Sequence, residues 1–294
     1  MKKLKNLIIL SAAVFCVSSC SETQFADIDN HSISIEDGYE DFNHLMLTAK
    51  GIVQEVLIAA YQNPELSDFN DDEVSNRSDC PTETDLNPNV FPKTLRYDYG
   101  DETCISDGQS DMMGVVEITV SAKLGTPGMT IMINPLQNFT KDGQATRLKD
   151  NSNAIFMAQF KNDTNLSDVY DLHISGLEII GEHGKAATIT HLEGATIGFE
   201  DIDKNNDAPG STAASYLDDR AIINFDHMNF LNHKNELLNV IVKHHISFDF
   251  LCKCPLGGSV EIEDGQKNIQ YINYSGNTGC SGKILVDTEE VGCH

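Results

Sequence analysis

From Leu238 to Phe250 apolar and polar side chains alternate over 13 residues. Leu238, Val240, Val242, Ile246, Phe248 and Phe250 share one parity, and Asn239, Lys243, Ser247 and Asp249 share the other. A period of two puts successive side chains on opposite faces of a strand, so one face is expected buried and the other wet. The same period governs most of the chain. Val116, Ile118 and Val120 alternate with Glu117 and Thr119. A turn signal follows at Gly125, Pro127 and Gly128, and Met129, Ile131 and Ile133 alternate again, which predicts a hairpin.

Further strands are predicted over 168–180, 187–192, 195–200, 220–225, 259–263 and 283–287. Across Gly176 the parity of Tyr170, Leu172 and Ile174 reverses to that of Leu177 and Ile179, which predicts a bulge or bend. No strand–helix–strand alternation occurs. The expected fold class is therefore mainly β, an antiparallel β-sandwich-like body. Its one helix is amphipathic and N-terminal: Phe42, Leu45, Ile52, Val53, Val56, Leu57 and Ala60 recur at helical spacing, Gly51 interrupts the middle, and Pro64 closes the run.

The first residues have a different logic. Lys2, Lys3 and Lys5 precede an apolar run of 11 residues, Leu7 to Val17, and Val17-Ser18-Ser19-Cys20 follows. That order is the layout of a secretory signal. The run is shorter than the roughly 20 residues a membrane-spanning helix needs. The last four residues resemble the lipobox of bacterial lipoproteins, in which small residues admit the chain to a signal peptidase and the cysteine thiol accepts diacylglycerol. The resemblance implies lipidation at Cys20 after removal of residues 1–19, with the membrane as partner through the anchor. An ordinary signal peptide cut near Ser19 is the alternative.

The expected organisation is then a signal peptide over 1–19, a lipid-anchored tether over 20–38 and a packing helix over 39–66. A β-rich half follows over 80–200, an acidic loop over 201–217, and a second β-rich half over 218–294. Residues 21–38 are polar without apolar period, as a flexible tether would be. The expected localisation is the cell envelope, by lipid anchor on the outer membrane. Ser21 and Glu22 include one acid rather than the acidic cluster of surface export, which leaves the periplasmic and surface sides open.

The whole chain has 20 basic and 45 acidic residues. Losing residues 1–19 removes three lysines and no acid, leaving 17 against 45 and a formal charge of −28. Phosphate backbones select basic patches, so nucleic acid is excluded as a partner. The same loss takes Cys16, and lipid takes Cys20. Six cysteines remain: Cys80, Cys104, Cys252, Cys254, Cys280 and Cys293. An even set in an oxidising compartment predicts three disulfides. The one-residue gap of Cys252-Lys253-Cys254 is too tight for the usual zinc spacing.

An internal repeat orders these cysteines. Leu95-Arg96-Tyr97-Asp98-Tyr99-Gly100 leads to Cys104, and Gln270-Tyr271-Ile272-Asn273-Tyr274-Ser275-Gly276 leads to Cys280. Cys80 lies 24 residues before Cys104, and Cys254 lies 26 before Cys280. The spacing predicts Cys80–Cys104 and Cys254–Cys280, with Cys252–Cys293 holding the C-terminal tail. These two motifs resemble those of a family of β-rich lipoproteins of Bacteroidota, which carry aromatic-Asp-aromatic-Gly, a short turn and Cys early in the chain and again near its end. Asn273 and Ser275 depart from the pattern at the second motif. The resemblance implies location and fold, and brings no activity with it.

Signatures of chemistry are few. Gly-x-Ser-x-Gly, His-Glu-x-x-His and Gly-x-Gly-x-x-Gly are absent. Gly276 to Lys283 fails as a phosphate loop, because five residues rather than four separate Gly276 from Gly282, and Ile284 replaces the hydroxyl residue. The candidate metal site is calcium at Glu200, Asp201, Asp203, Asn205 and Asp207, where alternating oxygen donors could converge. Against it, Ala208 and Ala214 stand where an EF-hand loop from Asp203 needs glycine and glutamate; the alternative is a solvated acidic loop. His244 shares the apolar parity of its strand and is expected in the core. His183, His191, His227 and His233 have no spacing that selects them. The expected function is a lipid-anchored envelope protein with a disulfide-stapled β-domain, structural, adhesive or binding a glycan or protein ligand. A hydrolase of envelope or environmental polymers is the alternative.

Overall fold

The computed structural model describes residues 35–66, 81–102, 104–105, 111–124, 126, 128–135, 139–141, 144–148, 155–159, 169–180, 184, 186–200, 220–248, 254–274 and 283–292. Residues Ile33–His294 form one compact unit. It is mainly β, an antiparallel sandwich-like body with a single N-terminal helix among the described residues, α1 (Ile35–Gln62).

The chain leaves α1 through Asn63, whose carboxamide oxygen accepts the backbone N–H groups of Glu65 and Leu66. The strands then follow as β1 (Thr82–Asp85), β2 (Lys93–Asp98), β3 (Cys104–Ile105), β4 (Asp111–Met113), β5 (Val115–Val120) and β6 (Thr130–Pro135). Next come β7 (Thr140–Lys141), β8 (Gln144–Leu148), β9 (Ile155–Gln159), β10 (Val169–Ile174), β11 (Leu177–Ile180) and the long β12 (Ala186–Glu200). The last group is β13 (Arg220–Asn224), β14 (His227–Leu231), β15 (Leu237–Phe248), β16 (Pro255–Glu263), β17 (Ile269–Asn273), β18 (Lys283–Val286) and β19 (Glu289–Gly292).

The predicted hairpin is β5–β6, with Ile118 opposite Ile133 and strict alternation of buried and half-buried residues. The sheet forks where Gly176, at a φ of 68°, separates β10 from β11. One ladder runs from β10 through β9, β6, β5 and β2 to β1. The other runs from β11 through β8, β7 and β4 to β3. On its far side β12 pairs with both β13 and β14, and the order continues through β15, β16, β17 and β18 to β19. The two stretches flanking residues 201–217 thus share one sheet.

Irregularities line up across five neighbouring strands of that sheet. Register shifts fall between Leu172 and Ile174, between Ile189 and His191, and repeatedly between Val242 and Phe248. The break between β13 and β14 lies between those shifts. An extra residue in one strand bends and twists it, so the aligned bulges form a crease that curves the sheet. At its end stands Gly258, with φ 109°, where a Cβ would collide with the His245 carbonyl and lie 2.9 Å from Ile246 Cα. Only glycine lets β16 approach β15 there.

The sheet curves around α1. From Phe42 to Ala60 every position is buried except His44 and Leu47, which are half-buried. Lys50, Gln54 and Glu55, polar or charged as they are, are buried too. Burial on nearly all sides marks a helix enclosed by its sheet rather than resting on it. Gly51 has a reason: a Cβ there would overlap the side chain of buried Lys141 on β7.

Candidate functional site

The sites anticipated from sequence divide between described residues and those outside them. Cys20, and with it the signal and tether, lies outside the described residues, as do Asp201, Asp203, Asn205 and Asp207. Glu200 is the one described member of the calcium set, exposed at the end of β12 opposite Arg220. Among the described residues no group of three or more His, Cys, Asp or Glu side chains is placed to hold a metal, and no helix is long and apolar enough to cross a membrane. Cys104 and Cys254 are buried and disulfide-bonded. Cys80, Cys252, Cys280 and Cys293 lie outside the described residues.

His244 is a correction. It is exposed rather than in the core, because the bulge between Val242 and His244 breaks the alternation that would have turned it inward. Its Nδ1 lies 2.8 Å from Ser259 Oγ, an approach that invites comparison with a nucleophile and its base. Ser259, however, is only 2% exposed, so an acyl carbon has no path to Oγ. The pair is a cross-strand hydrogen bond beside the crease. His191 and His227 also lie near it, whereas His233 sits in the β14–β15 turn with its Nδ1 2.8 Å from Asp41 Oδ2. His183 lies outside the described residues.

The built surface feature is the β1–β2 connection. Leu86, Val90 and Phe91 are 45%, 61% and 39% exposed, three large apolar side chains within six residues. The segment is held by its own hydrogen bonds, most of them from side chains. Asp85 Oδ1 accepts the Asn87 N–H at 3.0 Å, Leu86 N–H donates to the Thr94 carbonyl at 2.9 Å, and Asn87 Oδ1 accepts the Thr94 N–H at 2.6 Å. Asn87 Nδ2 donates to the Pro92 carbonyl. Asn89 takes the left-handed conformation at φ 64°, which asparagine tolerates in turns, and the Phe91–Pro92 peptide is cis.

Below the tip the base is fixed by charge. Lys93 is buried, 2.7 Å from Asp85 Oδ2, and is also paired with Glu65 just beyond α1. Burial alone would push the ammonium down, but hydrogen bonds and charge from Asp85 and Glu65 outweigh it, and the group is held above its usual range. Asn63 adds a 2.6 Å hydrogen bond from Nδ2 to Glu83 of β1. Glu65 and Glu83 are exposed carboxylates around this end of the hairpin. The result is a stiff apolar knob with an acidic surround. Sequence reading missed it, because the turn residues of Leu86-Asn87-Pro88-Asn89-Val90 signal a loop and carry no sign that its apolar members stay in water.

No family model, curated protein or solved structure matches the chain.

Proposed function

We propose that the chain is a lipid-anchored protein of the bacterial cell envelope whose β-body is a binding module, with the β1–β2 tip as its contact surface. The observation that carries the binding reading is the exposure of Leu86, Val90 and Phe91 on a loop whose conformation is fixed by Asn87 and Lys93. Isolated exposed apolar residues are ordinary, but a cluster on a rigid support marks an interaction site. Rigidity matters because little ordering entropy is then lost on binding. The chemistry favours a protein partner with an apolar recess, since the most exposed side chains of the tip, Leu86 and Val90, offer sugar hydroxyls no hydrogen-bonding group.

Anchoring at Cys20 rests on the lipobox resemblance, and so does export through the signal peptide. The exported location agrees with Cys104 and Cys254 being disulfide-bonded. The repeat spacing assigns Cys80 to Cys104 and Cys280 to Cys254, which leaves Cys252 to pair with Cys293. Membership of the Bacteroidota lipoprotein family rests on the two cysteine motifs.

The test is a Val90→Asp change, screened with the parent chain against arrays of purified envelope proteins and of glycans. A protein ligand held by the tip is expected to bind the variant at least tenfold more weakly, about 1.4 kcal/mol. The melting temperature should hold, because surface changes of this kind stay within about 0.5 kcal/mol. Ligands that bind both chains equally, or only glycans retained, would remove the tip from the function.

A further inference from the structure

We draw no further inference here: the strongest candidate, the outward apolar pair Leu237 and Ile269 on the strand ends beside the β14–β15 and β16–β17 turns, carries nothing, because nothing in the structure shows what covers it.

Discussion

The buried polar side chains near α1 are where single atoms matter most. Tyr274 Oη donates to Asn43 Oδ1 at 2.6 Å, both residues being buried, and burial holds the phenol well above its usual range, so it stays a neutral donor. Tyr274→Phe keeps the ring and removes the donor, leaving a carboxamide oxygen desolvated. A loss of about 1–3 kcal/mol is expected, read as a lower urea midpoint with an unchanged slope. Lys93 predicts a dependence on alkali. Its folded pKa is raised above the ordinary 10.5. The contribution of its charge is therefore fully present below the unfolded value and lost as pH rises through the folded one. Unfolding midpoints measured from pH 9 to 12 should fall more steeply for the parent than for Lys93→Met, which has no such proton to lose. Equal slopes would show that Asp85 and Glu65 do not stabilise the ammonium.

Turns and strands show what the alternation could and could not specify. The β16–β17 turn is organised by Asp264, whose Oδ1 accepts the N–H groups of Gln266 and Asn268 at 2.8 Å and whose Oδ2 accepts Asn268 Nδ2. Desolvation opposes the charge, but these hydrogen bonds prevail and the carboxyl is held below its usual range. Such a group stabilises above the unfolded value near 3.8 and loses that contribution as pH falls through the folded one. Asp264→Asn should therefore flatten the decline of the melting temperature between pH 5 and 3. The repeat was legible in the sequence: Leu95, Tyr97 and Tyr99 are buried with Arg96 and Asp98 exposed, and Gln270, Ile272 and Tyr274 are buried with Tyr271 and Asn273 half-buried. The alternation of β5, β6 and β15 gave their faces directly, because half-buried antiparallel strands write burial into parity. His244 escaped because a bulge changes parity without leaving a mark in residue type. The enclosure of α1 escaped for a related reason: Lys50, Gln54 and Glu55 look solvated in a helical pattern, and only the closing sheet puts them inside.

At the scale of the molecule, these elements depend on one another across long separations in sequence. The helix is fastened to the β14–β15 turn, to β17 through Asn43 and Tyr274, and to β1 and β2, so it touches both stretches flanking residues 201–217. The first stretch ends in β12, whose exposed edge is covered only by β13 and β14 of the second. Residues Ile197 and Phe199 on β12 pack into the same core as Ile223, Phe230 and Ile246. Cutting the chain between them would uncover apolar side chains on both sides and leave nine positions of β12 without the ladder partners they have on β13 and β14. Two β-rich stretches of this length could in principle be separate domains. The shared sheet and the enclosed helix predict the opposite. The mature chain should unfold in one calorimetric transition whose van't Hoff and calorimetric enthalpies agree. A fragment ending near residue 210 should aggregate or remain unfolded, even with α1 present. Two resolved transitions, or a soluble fragment with native-like near-ultraviolet dichroism, would mean that the β12–β13 and β12–β14 ladders join domains that are each already complete.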